Sequence, residues 1–312
     1  MKKIRNFVKK IADKFNLTIY LLKIYFKILA FKYGCNVIYE DKYVIIKKNK
    51  NFIKIKRKKN DLGLIGLVVR DFDNFYNSVE SEMNLVDFTI PKYHKLKTTG
   101  QIFFFHDICE PLSVTDIYIK KANLNGSGEV VIDIGCYCGT QTVFYSELVG
   151  ENGLVLGFEP DNESFNSLSL NISQSKFSKN IIIQKVGIYN FDGKISFSGN
   201  GSMASKIESC ENENQQNQIE VKKLDTIAKE YNLQRVDFVK MDIEGSEIEV
   251  LKSSTDFINR FKPKFIIEPH YVNDLLNTNE IISILEKLNY NCEILKQGNF
   301  DYQPLIFAKP NI

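Results

Sequence analysis

The stretch Glu129 to Val143, E-V-V-I-D-I-G-C-Y-C-G-T-Q-T-V, restricts the possible folds of this chain more than any other segment. Val130 to Ile134 reads as a strand buried on both faces, because it is apolar apart from Asp133 and too short for a helix. Gly135 and Gly139 then let the backbone turn sharply and approach a ligand without side-chain clash. Thr140 opens the following helix, where unpaired N–H groups point outward. A buried strand turned by glycines into a helix is the entrance to a parallel sheet.

The segments that follow agree with this reading. Strands are expected at Val130–Ile134, Leu154–Glu159, Ile181–Val186, Val236–Asp242 and Lys264–Glu268, and Asn291–Leu295 with Pro304–Ala308 would close the sheet. Helices are expected at Thr140–Leu148, Asp161–Ser173, Leu224–Tyr231, Glu247–Ser253 and Asn279–Leu288. Alternation of this kind predicts an α/β fold with crossover helices on both faces. Two interruptions stand out: a hairpin expected at Asn190–Ser198 around Asp192-Gly193, and a polar loop, Gly199–Gln218, long enough to act as a lid. Before Gly128 the pattern differs. Asn36–Glu40, Lys42–Lys47 and Asn51–Arg57 look like an antiparallel meander, Leu62–Val79 is helical and Gln101–His106 is one more strand. Residues 1–33, 34–116 and 117–312 are therefore taken as a basic helix, an accessory α+β region suited to binding an acceptor, and the main domain.

An open parallel sheet binds ligands outside the carboxyl ends of its strands. Asp133, Glu159, Asp242 and Glu268 all stand at such ends, and four acids there are expensive to bury without partners. Glu159, in G-F-E-P-D, is positioned to accept hydrogen bonds from ribose hydroxyls. A dinucleotide binder would share that residue, but it brings glycines close to a pyrophosphate through G-x-G-x-x-G. Here an acid precedes the first glycine and bulky Tyr137 lies between the two. A carboxylate in that place repels phosphate and suits an ammonium group, which S-adenosylmethionine carries on its amino-acid end.

With these residues the chain resembles the FkbM-type methyltransferases. The resemblance covers roughly Ile117 to Glu268 and rests on V-I-D-I-G-C-Y-C-G at 131–139, F-E-P-D at 158–161, K-V-G at 185–187, K-L-D at 223–225 and V-K-M-D-I-E-G-S-E at 239–247. It implies a Rossmann-like class I methyltransferase sheet of seven strands, in order 3-2-1-4-5-7-6 with one antiparallel. It also implies S-adenosyl-L-methionine as cofactor and methyl transfer mostly to hydroxyl groups. Asp133, Gly135 and Gly139 would then hold the methionyl end, Glu159 the ribose, and the backbone near Val186 and Gly187 the adenine. Tyr137, Thr140 and Pro160 complete the expected cofactor contacts. Cys136 and Cys138 replace residues that are commonly small or aliphatic in the family turn, and both are small enough to fit.

Asp242 would face the methyl group. Methyl transfer is an in-line displacement, so the protein aligns an acceptor oxygen and removes its proton. Asp242 and Glu244 would lie on one side if their strand continued, and paired carboxylates raise one another's proton affinity, which suits a general base. They could instead hold a magnesium-like ion with Glu268, or Glu244 and Glu247 could simply cap the next helix. Glu268 and His270, in I-I-E-P-H, form a second acid/base candidate. An acidic general base without a metal is the reading taken. His94 and His106 are taken as structural.

Charge is distributed unevenly. Residues 1–60 carry 18 lysines and arginines against three acids, leaving 23 against 35 in the remainder. Ile4, Val8, Ile11, Phe15, Ile19, Leu22, Phe26 and Leu29 recur at helical spacing with lysines between them, describing a basic amphipathic helix. It can lie at a membrane interface or dock on the protein's own core. Leu17–Phe31 is shorter than the roughly 20 apolar residues a spanning helix needs, and no secretory signal is evident. A cytoplasmic protein, peripheral at the inner membrane face, is the expectation. Tyr20, Tyr25 and Phe26 fit the apolar side of a helix rather than a base-stacking platform, which argues against nucleic acid. Six cysteines without framework spacing exclude a disulfide scaffold. A nicotinamide-dependent oxidoreductase, or a non-catalytic membrane- or nucleic-acid-binding protein on the same fold, are the competing readings.

Overall fold

A computed structural model describes residues 18–57, 62–199, 206–207, 218–272, 275–297 and 303–311. The chain divides into two compact units: Met1–Ile102 with Asp107–Leu112, and Phe103–His106 with Ser113–Ile312.

In the smaller unit the strands Asn36–Tyr39, Tyr43–Lys48 and Asn51–Lys56 pair antiparallel, as their alternation of apolar and polar residues requires. Leu85–Asp87 adds to Asn51–Lys56 in parallel. Val37, Val44, Ile46, Ile53 and Ile55 are buried from one face of this sheet. The helix expected over Leu62–Val79 is broken in two, Leu62–Arg70 and Phe72–Ser78, at Asp71. The amphipathic helix is described from Thr18 to Lys32; its expected positions Ile4 to Phe15 lie outside the described residues. Phe26 and Ala30 are buried, the Phe26 ring against Gly66, while Tyr20, Leu21, Ile24, Tyr25, Ile28 and Phe31 remain exposed. Among the described residues no helix is long and apolar enough to cross a membrane.

The larger unit is built on seven strands: β1 Val130–Ile134, β2 Leu154–Phe158, β3 Ile181–Gln184, β4 Phe238–Met241, β5 Lys264–Ile267, β6 Tyr290–Leu295 and β7 Leu305–Pro310. Their order across the sheet is 3-2-1-4-5-7-6. Strands 1 to 5 run parallel, and β7 lies antiparallel to both β5 and β6. This is the class I methyltransferase sheet that the resemblance implied. Its core is aliphatic and aromatic, with Ile132, Ile134, Leu156, Phe158, Val239, Met241, Phe265 and Ile267 on the central strands. Burying a side chain of this size contributes about 1.5–3 kcal/mol, which explains why runs such as V-V-I and F-I-I are continuous rather than alternating. Crossover helices Thr140–Val149, Asn162–Ser173, Leu224–Glu230, Glu247–Ser253 and Thr278–Lys287 stand within a residue or two of expectation. One more, Thr255–Phe261, was not read from the sequence.

The expected Asn190–Ser198 hairpin does not form. Gly187–Ile188 and Gly193–Ser198 instead flank a shared strand, Gln218–Lys222, the first in parallel and the second antiparallel. The shared partner is more than twenty residues downstream, beyond the reach of a local turn argument. Of the expected polar lid, Lys206–Ile207 pairs with Phe197–Ser198; residues 200–205 and 208–217 lie outside the described residues.

Candidate functional site

The turn after β1 is fixed by backbone hydrogen bonds from Gly135 and Cys136 to the Phe158 carbonyl, 2.9 and 3.2 Å, and from Gly139 to Cys136, 2.8 Å. Gly135 has φ +79°, and a Cβ on it would run into the Asp242 carbonyl oxygen; Gly139 has φ +82°, and a Cβ there would meet the Leu168 side chain. Only glycine satisfies both the conformation and the space. Thr140 begins the next helix, with Gly139 as its left-handed cap. Cys136 and Cys138 are buried: one Sγ donates to the Asp133 carbonyl at 3.2 Å and the other lies 3.4 Å from His106 Nδ1. His106, taken as structural from the sequence, also has its Nδ1 2.9 Å from Ser167 Oγ.

Across the turn, at the end of β2, the Glu159 carboxylate accepts the backbone N–H of Tyr137 on one oxygen and of Asp161 on the other, each at 2.8 Å. Each oxygen keeps a further lone pair. Burial pushes the Glu159 carboxyl up to about 8 despite those two bonds. Asp161 caps the helix Asn162–Ser173 by accepting from Glu163 and Ser164, both 3.0 Å. Beside Pro160 opens a cleft of about 370 Å³, lined also by Asp161, Asn162, Lys185, Phe197 and Ile219. Val186 and Gly187 follow β3 and are buried. A nucleoside-bearing cofactor fits these residues: glycines leave the floor of the turn open, and Glu159 offers two adjacent acceptors for a diol.

Asp133 differs from its expected role. Its carboxylate is wholly buried; Thr142 Oγ1 donates to Oδ2 at 2.6 Å, and Oδ1 lies 3.5 Å from Lys240 Nζ. That leaves none of it exposed to meet an ammonium group. Burial raises its carboxyl above the usual range, with Lys240 and Thr142 opposing. Lys240 itself is 1% exposed on β4, donates to the Gly135 carbonyl oxygen and lies 3.7 Å from Asp242 Oδ2. Sequence reading passed over this lysine. A charged residue in the middle of an apolar strand next to two acids was the available signal.

Beyond β4 and β5 the acids converge. Asp242 and Glu244 do not share a strand face, because β4 ends at Met241; a turn with Glu244 at φ +54° brings them together instead. His270 Nε2 lies 3.5 Å from Asp242 Oδ1 and 3.5 Å from Glu244 Oε1. Its Nδ1 is 2.7 Å from Glu247 Oε1, and its backbone N–H donates to Asn277 Oδ1 at 2.9 Å. Glu247 also accepts from Asn277 Nδ2 at 2.9 Å and from the Gly245 N–H at 3.1 Å. Burial works against a charged imidazole here, but the Glu247 hydrogen bond and the charges of Glu244, Glu247 and Asp242 outweigh it and raise His270 well above its ordinary value. His270 is therefore a proton holder near neutral pH rather than the proton acceptor considered from the sequence. Burial also pushes Glu244 up to about 7, opposed by His270 and reinforced by Asp242. Burial disfavours an ionised Glu247 too, yet its hydrogen bond to His270 and that residue's charge keep it below the usual carboxylate range. Glu268 is held by Tyr118, whose hydroxyl donates to its Oε2 at 2.8 Å, and its charge adds to the rise of Glu244. The sequence treated Glu247 as a helix cap. It does satisfy the turn's N–H groups, but its partnership with His270, 23 residues on, had no local signature.

Residues 133–292, just over half of the chain, match the methyltransferase FkbM domain. The hexuronic acid methyltransferase AglP of Haloferax volcanii is 25% identical over 199 residues, covering 62% of this chain and 79% of that protein. The crystal structure of methyltransferase FkbM from Methylobacillus flagellatus KT superposes with a TM-score of 0.47 at 18% identity, covering 81% of this chain; this chain spans 55% of that one. The O-methyltransferase TomG of Streptomyces achromogenes, solved with S-adenosylmethionine, gives a TM-score of 0.43 at 7% identity over 65% of this chain and 82% of its own. From the family match, with a sheet of the expected order and a glycine turn facing Glu159, this chain belongs to the FkbM methyltransferase family.

Proposed function

We propose that this chain transfers a methyl group from S-adenosylmethionine to a hydroxyl of a glycan or small metabolite. The observation that carries the reading is the pairing of two acidic stations along one sheet edge: Glu159 after β2, and Asp242, Glu244 and His270 after β4 and β5, with the turn after β1 between them. The cofactor, when bound, supplies a methyl carbon made electrophilic by its sulfonium sulfur. Glu159 binds the ribose hydroxyls, Gly135 and Gly139 keep the backbone low, and the residues near Val186 and Gly187 flank the base. A sugar hydroxyl is a poor nucleophile until a base assists it. Glu244, held at about 7, matches proton removal at neutral pH, and Asp242 shares the position. The Haloferax volcanii relative makes uronic acids the first acceptors to test. Incubating purified protein with methyl-labelled cofactor and glycans containing hexuronic acid should yield labelled ether. Saturable binding of a nicotinamide dinucleotide, with none of S-adenosylmethionine at millimolar concentration, would sink the reading.

Peripheral attachment to an anionic lipid surface belongs to the same reading. Six large apolar side chains, Tyr20, Leu21, Ile24, Tyr25, Ile28 and Phe31, are exposed on one helix that also carries Lys23, Lys27 and Lys32. Exposed apolar area bordered by lysines is the composition of an interfacial helix.

A further inference from the structure

We infer that the cluster Asp242, Glu244 and His270 is a binding site for one divalent cation of the Mn²⁺ type, set beside the acceptor hydroxyl. The three residues each offer one ligand atom, and those atoms lie within 4.8 Å of one another. His270 Nε2 stands 3.5 Å from a carboxylate oxygen of each acid, too far for a good hydrogen bond to either. A cation bonded at about 2.1 Å sets neighbouring ligands about 3 Å apart, so a small contraction closes the set.

Acids alone would not carry this. The independent observation is the imidazole, 6% exposed and locked from behind. Glu247 Oε1 lies 2.7 Å from Nδ1, and Asn277 braces both the Glu247 carboxylate and the His270 backbone. This is the carboxylate–histidine relay that fixes a metal-ligating tautomer, in which the outer carboxylate aims the other nitrogen at the ion. Nε2 is thus aimed at two carboxylates and nothing else of normal hydrogen-bond length among the described residues; the ion takes the place of the proton His270 carries on that nitrogen, which is released to solvent on binding. Two oxygens and one imidazole nitrogen suit Mn²⁺ better than Mg²⁺, which prefers oxygen and retains its water. The metal-free reading taken from the sequence gives way here to a set that differs from the alternative weighed there, with His270 in place of Glu268 beside Asp242 and Glu244.

The cation's role rests on the methyltransferase reading. An acceptor hydroxyl beside it would be more acidic and would lose its proton to solvent. In the transfer the new O–CH3 bond would form as the C–S bond breaks, leaving a methyl ether, a neutral thioether and one proton in solvent.

The test is Mn²⁺ titration of the full chain after chelator treatment, followed by electron paramagnetic resonance of free Mn²⁺, with S-adenosylmethionine binding measured separately by calorimetry. One equivalent should bind, with affinity falling at least about ten-fold in Glu244→Gln and in Glu247→Gln. Glu244 is partly exposed, so its variant serves if Glu247→Gln does not fold. No Mn²⁺ bound at millimolar concentration, or affinity unchanged in both folded variants, overturns the cation site. Cofactor binding that persists in that case leaves the methyltransferase reading standing, and its loss alongside intact Mn²⁺ binding removes that reading instead.

Discussion

Glu247 and His270, from the helix after β4 and the loop after β5, are joined by a 2.7 Å bond between Oε1 and Nδ1, and both are buried. The pair ties two strand ends together at the point where the acids converge. Breaking a buried pair by removing one partner costs about 3–5 kcal/mol, because the other is left uncompensated. Glu247→Ala should therefore lower unfolding free energy by about that amount in urea titrations, whereas a shift under about 1 kcal/mol would mean the pair is not formed.

The pH profile follows from the same pair. The lowered Glu247 contributes stability that is present above its unfolded value and lost as pH falls through its folded one. The raised His270 contributes stability that is complete below its unfolded value of 6.5 and lost as pH rises through its folded one. Stability from the pair should span the neutral range and decline on both sides. Glu247→Gln should flatten the acid limb, as measured by thermal unfolding across pH.

Lys240 is buried between Asp133 and Asp242. Replacing it with Met keeps the volume and removes the charge, leaving two acids facing one another. Lys240→Met should cost about 3 kcal/mol, and adding Asp133→Asn should recover part of that. Equal stability of the single and double variants would argue against the coupling.

Cofactor affinity should depend on the ionisation of Glu159. Because burial holds its carboxyl at about 8 and ribose hydroxyls donate to the ionised form, binding should tighten as pH rises toward 8 and then level off. Below that pH, binding should take up a hydroxide equivalent, that is, release a proton, visible as calorimetric heats that vary with buffer. Glu159→Gln should remove this dependence and weaken binding by about 10- to 100-fold, since hydrogen bonds to a charged acceptor contribute about 1.5–3 kcal/mol.

Gly135→Ala tests the floor of the turn. Its Cβ would strike the Asp242 carbonyl in a left-handed backbone conformation, at a cost of about 1–3 kcal/mol from conformation alone. Loss of cofactor binding with a lowered melting temperature is expected. Wild-type affinity in this variant would remove the turn from the site.

Vesicle binding tests the exposed helix. Ile28→Glu with Phe31→Glu should abolish co-sedimentation with anionic vesicles while leaving cofactor affinity as it was, both residues being exposed. Unchanged sedimentation would reject lipid attachment.

Sequence alone determined the parallel core. Buried strands such as V-V-I-D-I and F-V-K-M are apolar apart from one charged residue each, and glycines at 135 and 139 are demanded by backbone conformation, so both are local properties. Glu159 was equally legible, since a strand end next to a glycine turn fixes where its side chain goes. Only the tertiary structure decided what the buried charges do. Asp133 turned from a ligand contact into a partner of Lys240 and Thr142; Gly187–Ile188 and Gly193–Ser198 found a common partner in Gln218–Lys222; and His270 gained Glu247. Apart from the bond between Thr142 and Asp133, nine residues apart, each of these depends on strand order and on partners more than twenty residues away. Burial makes a charge seek whichever opposite charge or hydrogen-bond partner the fold brings within reach, and that choice is not encoded in the residues beside it.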